Sequence, residues 1–130
     1  MAEEDIESLW RIYDAMSGWR IEELRRDVTH DIEWNLPDSV PWGGIHHGQD
    51  GLESVAEIFQ DHVEGIWADP DDFLDAGDRI VVLGRIRGRA RSSGQDFEVS
   101  FAHVWAMADG VPSSFRAYFD SSPITAALRG

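Results

Sequence analysis

One histidine, His103, lies within a row of large apolar side chains, where an ionisable group is unexpected. Residues 97–107 alternate between two faces, the period of a β-strand, and His103 shares the apolar face with Phe101 and Trp105. A neutral imidazole among aromatic rings can act as a general base or donate a hydrogen bond to a developing oxyanion, and burial lowers its pKa. His103 is therefore the leading candidate for an acid/base residue. The alternative is a core histidine bonded to Tyr13 or to a backbone carbonyl.

Two further residues are candidates for the same chemistry. Tyr13 lies on the apolar stripe of an amphipathic helix predicted over residues 3–17, and its hydroxyl is a candidate oxyanion donor beside His103. The alternative for Tyr13 is ordinary core packing. Asp120 follows the last predicted strand and directly precedes Ser121, so it either caps the C-terminal helix or acts as an acid/base at the mouth of a pocket.

Residues 37–51 contain many glycines and few apolar residues, which predicts a long irregular loop that forms the rim of the pocket or a lid over it. This loop carries Trp42 and the adjacent pair His46 and His47. Adjacent side chains on an extended chain point apart, and the sequence has no cysteine, so no metal site is predicted. Asp50 is the expected N-cap of the next helix, which extends to about residue 63.

The remaining patterns predict the elements that position these residues. A second helix is expected over residues 20–27, with Trp19 contributing to its apolar face, and a strand over residues 31–36. Residues 66–75 resemble an edge strand or a strand with a bulge, and residues 79–91 a long strand. A hairpin turning at Asp109-Gly110 and a short C-terminal helix follow. The order predicts an α+β cone-shaped barrel, in which a curved, mostly antiparallel sheet wraps around three N-terminal-half helices.

Composition limits the classes of function. The chain has 130 residues, a net charge of −14 and no cysteine. Its length predicts one domain, residues 1–130, and its acidic surface argues against binding to nucleic acid or to anionic membranes. No apolar run is long enough to span a membrane, and the acidic N-terminus is unlike a signal peptide, so a cytoplasmic location is expected.

The sequence resembles the nuclear-transport-factor-2-like superfamily, and within it the SnoaL-like polyketide cyclases and ketosteroid-isomerase relatives. The resemblance rests on the strand ending EWNLP, on GDRIVVLGRIRGRA and on the hairpin FAHVWAMADG…FRAYFD. It implies a catalytic histidine at His103, a helix tyrosine at Tyr13 and a homodimer paired through the outer face of the sheet. The family's catalytic carboxylates correspond to Leu36 and Ala117, so they are absent from this chain.

These observations favour an enzyme without a cofactor that transfers protons on a small apolar, cyclic or polyketide-like molecule, by isomerisation or cyclisation. The alternative is a non-catalytic protein of the same fold that binds a small hydrophobic molecule. The predicted catalytic residues are His103, Tyr13 and Asp120. The predicted substrate-binding residues are Trp34, Leu36, Trp42, His46, Phe59, Phe101, Trp105, Phe115, Ala117 and Phe119.

Overall fold

The computed structural model describes residues 2–18 and 20–130, which form four helices and six strands. The expectation for Trp19 lies outside the described residues. The helices are α1 (Ala2–Met16), α2 (Ile21–Arg26), α3 (Gly48–His62) and α4 (Ser122–Arg129). The strands are β1 (Glu33–Leu36), β2 (Gly44–His47), β3 (Val63–Asp75), β4 (Arg79–Ala90), β5 (Asp96–Ala108) and β6 (Val111–Phe119). None of the described helices is long and apolar enough to cross a membrane.

The strands form one curved sheet in the order β2-β1-β6-β5-β4-β3. Strands β1 and β6 run parallel to each other, and the other neighbouring pairs are antiparallel. The helices α1, α2 and α3 come from the N-terminal half, and the apolar face of the sheet packs against them. The predicted α+β cone with a mostly antiparallel sheet and a short C-terminal helix is confirmed.

Strand β3 lies at an edge of the sheet, as its irregular sequence predicted, and it is longer than expected. Its pairing with β4 shifts register between Glu64 and Ile66 and again between Pro70 and Asp72. Bulges of this kind bend a strand and increase its twist, which helps the long strands to curve around the helices.

The prediction of an irregular loop over residues 37–51 is wrong in its second half. Residues 44–47 form β2, which pairs with β1, and α3 begins at Gly48 with no side-chain cap. Asp50 therefore lies in the first turn of α3 rather than at its N-cap. Gly44 and Gly48 have φ angles of 103° and 72°, a left-handed conformation that glycine adopts without strain, and they allow the chain to enter and leave this short strand.

The core consists of two apolar clusters on the concave side of the sheet. One cluster surrounds Tyr13 and Trp105 beneath α1. The other contains Trp42 and Phe59 and includes α4 residues such as Ile124. The two clusters are not packed together completely, because a cavity lies between them, lined by residues of both clusters. The candidate site is this cavity.

Candidate functional site

The cavity has a volume of about 80 Å³ and is almost entirely apolar. For comparison, an engineered apolar cavity of about 150 Å³ binds benzene. A ring-sized ligand therefore requires the walls to move outward. The lining residues are Met16, Leu24, Trp34, Leu36, Trp42, Leu52, Val55, Phe59, Ile66, Ile86, Phe97, Val99, His103, Phe115, Ala117, Phe119 and Ile124.

His103 is the one ionisable side chain among the described residues that line this cavity. It lies in the middle of β5, opposite Ala117 of β6, and only 1% of its surface is exposed. Its ring stacks on Phe101, with centroids 3.7 Å apart, and meets the edge of Phe115 at 4.7 Å. These contacts hold the imidazole plane in one orientation.

Hydrogen bonds connect His103 to two residues behind the cavity wall. The Tyr13 hydroxyl lies 2.6 Å from His103 Nδ1, and the indole N–H of Trp105 donates to the same hydroxyl at 3.0 Å. Neither Tyr13 nor Trp105 lines the cavity. Because Nδ1 is occupied by Tyr13, Nε2 is the polar atom of the ring that remains for a molecule in the cavity. Nε2 has no hydrogen-bond partner in the described part of the chain.

Burial determines the protonation of both groups. It lowers the pKa of His103 from 6.5 to about 3, because the charged imidazolium loses its hydration. It also raises the pKa of Tyr13, so the hydroxyl stays neutral. At neutral pH the site therefore contains two uncharged polar groups. A histidine with so low a pKa is a weak general base, and its more effective role is that of a hydrogen-bonding group.

The structure divides the predicted substrate-binding residues into two groups. The residues that line the cavity are Trp34, Leu36, Trp42, Phe59, Phe115, Ala117 and Phe119. His46, Phe101 and Trp105 do not line it. Phe101 and Trp105 share the inward face of β5 with His103, but both pack around Tyr13 beneath α1. Helix α1 therefore covers these two aromatic rings, which lie behind the cavity wall.

His46 supports the cavity wall instead of contacting the cavity. Its Nε2–H donates to the backbone carbonyls of Trp42 and Gly43, at 3.2 and 3.1 Å. Trp42 in turn packs against Phe59 with ring centroids 4.5 Å apart. His46 thus helps to hold the segment that places the Trp42 ring on the cavity.

Asp120 lies on the surface, outside the cavity, which does not agree with the hypothesis of an acid/base at its mouth. Its carboxylate accepts a hydrogen bond from the backbone N–H of Ser122, at 3.0 Å, and this bond lowers the pKa of the carboxyl group. Phe119 pairs with Phe101 and is the last residue of β6, so the chain has already left the sheet at Asp120. The alternative role, at the start of the C-terminal helix, describes its position better, although Ser121 occupies the N-cap.

Sequence reasoning missed nine lining residues, all of them apolar. They are Met16, Leu24, Leu52, Val55, Ile66, Ile86, Phe97, Val99 and Ile124. Several belong to the inward faces that the periodicity predicts, so the pattern identified them as core. The pattern contains no signal that separates a residue packed on its neighbours from one that borders a cavity.

The fold and the site together define a class of protein: an α+β cone whose apolar cavity contains one buried histidine. A model of the SnoaL-like domain family matches residues 10–111, and the chain belongs to this family. No curated protein matches the sequence.

Solved structures show the same fold over nearly the whole chain. An NTF2-like protein of unknown function from Burkholderia pseudomallei is 25% identical, with 98% of each chain covered and a TM-score of 0.89. TerC, co-crystallised with polyporic acid, is 24% identical, with 98% of this chain and 99% of TerC covered and a TM-score of 0.89. IdmH, described as a candidate polyketide cyclase from Streptomyces antibioticus, is 20% identical over 97% of this chain and 99% of its own, with a TM-score of 0.79. For TerC and IdmH, which are less than 25% identical to this chain, the likeness is one of fold alone.

We expect the buried histidine to make stability depend on pH. The pKa of His103 is about 3 in the folded protein and close to 6.5 in the unfolded chain. Below pH 6.5 protons therefore bind preferentially to the unfolded chain, so this contribution to the free energy of unfolding is complete above pH 6.5 and decreases as the pH falls towards 3. Between pH 7 and pH 5 the expected loss is about 2 kcal/mol, measured by urea denaturation relative to His103→Gln. An identical pH dependence in the two proteins would contradict this assignment.

The Tyr13 hydroxyl is expected to stabilise the fold through its two buried hydrogen bonds. In Tyr13→Phe, His103 Nδ1 and the Trp105 N–H both lose their partner, and the free energy of unfolding should decrease by about 3 kcal/mol. Tyr118→Phe is the matched control, since the Tyr118 hydroxyl is on the surface and accepts one bond from Arg116. Its free energy of unfolding should change by no more than about 0.5 kcal/mol. Equal effects in chemical denaturation would show that the Tyr13 bonds contribute little.

Proposed function

We propose that the cavity binds a small hydrophobic molecule and that His103 makes the one side-chain hydrogen bond to it. The observation that carries this proposal is the buried imidazole, whose Nε2 has no partner among the described residues while the rest of the cavity wall is apolar. Burying a polar group without a hydrogen-bond partner destabilises the folded state, and an apolar side chain at this position would give a more favourable free energy of folding. A ligand atom at Nε2 supplies the missing partner.

The family and its structural relatives support a small-molecule site. TerC was co-crystallised with polyporic acid, and a protein of ketosteroid-isomerase-like fold from Catenulispora acidiphila was solved in complex with trimethylamine. Both share the fold and have different ligands, so they support the binding of a small molecule without defining which one. The cavity of this chain, at about 80 Å³, favours a compact ligand. The single domain, the homodimer and the cytoplasmic location stay predictions.

Isomerase- or cyclase-type catalysis is the second candidate, favoured by the hydrogen bonds that link Trp105, Tyr13 and His103 at the cavity wall. A group held in this way can polarise a carbonyl and stabilise an enolate. Proton abstraction also needs a base, however, and the described lining residues include no carboxylate. Leu36 and Ala117 occupy the positions at which the resemblance to the family implies one. Ligand binding is therefore the function that the site supports better.

Binding should depend on His103 when the ligand carries an oxygen acceptor. We expect cyclopentanone to shift the amide resonances of cavity residues in an NMR titration, and His103→Leu to weaken its binding about 10-fold, the equivalent of one hydrogen bond. Methylcyclopentane has a similar shape and no acceptor, so its binding should be unaffected by this substitution. His47→Gln, at an exposed position of strand β2, is the control variant. Binding of neither probe, or equal binding of cyclopentanone by His103→Leu, would contradict the proposal.

The same ketone separates binding from catalysis. Exchange of its α-protons in heavy water reports enolisation directly. The wild-type protein should not accelerate this exchange, because the cavity lacks a base with a suitable pKa. Acceleration by the wild type that is lost in His103→Leu would favour the enzyme instead. Ala117→Asp is the positive comparison, since residue 117 lies directly opposite His103 in the sheet.

A further inference from the structure

The hydrogen bonds behind the cavity have a definite direction. The indole nitrogen of Trp105 can only donate, so the Tyr13 oxygen must accept from it. The indole is completely buried, and no solvent competes for this bond. In the first hydrogen bond of the series, Trp105 is therefore the donor and Tyr13 the acceptor.

The direction of the second hydrogen bond, between Tyr13 and His103, is set by the single hydrogen of the Tyr13 hydroxyl. The described residues provide two hydrogen-bond partners for this hydroxyl, Trp105 Nε1 and His103 Nδ1. The Trp105 N–H occupies one side of the oxygen, so the hydroxyl hydrogen has no favourable position there. If Nδ1 also carried a hydrogen, the Tyr13 oxygen would have to accept twice and the hydroxyl hydrogen would be buried in the core without an acceptor, whereas a ring hydrogen on Nε2 faces the cavity, where a ligand can accept it. The hydroxyl hydrogen therefore points to Nδ1, and Nδ1 is the acceptor.

The last hydrogen of the series is the ring hydrogen of His103, which lies on the side of the cavity. A neutral imidazole carries one ring hydrogen, and if Nδ1 accepts, that hydrogen is on Nε2. Donors in series also polarise one another, so each bond strengthens the next. His103 thus faces the cavity as a hydrogen-bond donor.

We propose that Trp105 is a positioning residue that acts through Tyr13 to hold His103 in its Nε2–H tautomer, which makes the cavity selective for ligands that offer an acceptor oxygen. Trp105 does not line the cavity and lies two residues from His103 along β5. The role differs from the substrate contact that the sequence predicted for it. The selectivity half of this inference rests on the proposed function, whereas the tautomer half concerns the protein without ligand.

The consequence for ligands is a preference for a carbonyl over a hydroxyl group at the same position. A carbonyl oxygen accepts from Nε2–H and has no hydrogen to satisfy. An alcohol oxygen can also accept, but its own hydrogen then faces an apolar wall without a partner. Cyclopentanone should therefore bind about 10-fold more tightly than cyclopentanol.

The tautomer can be read directly in the ligand-free protein by nitrogen-15 NMR of the labelled histidine ring. In the wild type we expect one tautomer, with a pyridine-type Nδ1 resonance and a pyrrole-type Nε2 resonance. In Trp105→Phe the Tyr13 oxygen has lost its donor and can accept from Nδ1–H instead, so the Nδ1–H tautomer should become populated. Trp34→Phe is the matched control, because it removes a buried indole whose N–H donates to the Gly48 carbonyl and not to Tyr13. This control should keep the wild-type tautomer.

Substitution of a buried tryptophan can also unfold the protein. If Trp105→Phe does not fold, replacement of Trp105 alone by benzothienylalanine keeps the ring size and removes only the N–H donor. A wild-type Nδ1–H tautomer would overturn the inference, and so would a pure Nε2–H tautomer in the folded variant that lacks the donor. A merely structural Trp105 would change stability and leave the tautomer unchanged.

The ligand comparison separates this inference from the proposed function. If cyclopentanone and cyclopentanol bind equally, the selectivity is overturned while ligand binding in the cavity stands. If neither binds, the proposed function and the selectivity fail together, and the tautomer result is judged by the ligand-free spectra. The whole inference is supported if the wild type binds cyclopentanone more tightly than cyclopentanol and this difference is smaller in the variant without the indole donor.

Discussion

The candidate site depends on one buried hydrogen bond, between the Tyr13 hydroxyl and His103 Nδ1. It joins the first helix to a strand that lies ninety positions later in the chain, in a region where water does not compete. Without it, the imidazole would have no polar partner on the core side, and its orientation would depend on aromatic stacking alone. The bond thus connects the packing of α1 on the sheet with the chemistry of the cavity.

Desolvation is the second physical constraint, and it limits what the histidine can do. The same burial that orders the ring also lowers its pKa far below neutrality, so His103 does not serve well as a base. Leu36 and Ala117, the positions at which the resemblance to the family implies carboxylates, present apolar side chains to the cavity. The site is therefore suited to holding and polarising a molecule rather than removing a proton from it.

Because the cavity is small, its walls have to move outward before a ring-sized ligand can fit. A volume of about 80 Å³ is small for a ligand site, since such sites usually have several hundred Å³. Trp42 is one wall of the cavity and belongs to the segment between β1 and β2, whose backbone carbonyls accept hydrogen bonds from His46. An outward movement of the Trp42 ring would enlarge the cavity. The bonds of His46 therefore affect the space available to a ligand, although His46 does not touch the cavity.

The sequence by itself determined the elements of the fold, because the period of two along β5 and the helical spacing along α1 are local properties of the chain. It also singled out His103, since a polar residue on an apolar face is visible without a structure. It failed at β2, a short strand that is bounded by two glycines of positive φ and lacks a clear hydrophobic alternation. It left two roles open for Asp120, because the direction of this side chain depends on where β6 ends. Only the tertiary structure decided that Trp105 and Phe101 pack behind the cavity while Phe97 and Ile124 border it. The reason is that the curvature of the sheet and the placement of α1 depend on many contacts between residues that are far apart in the chain.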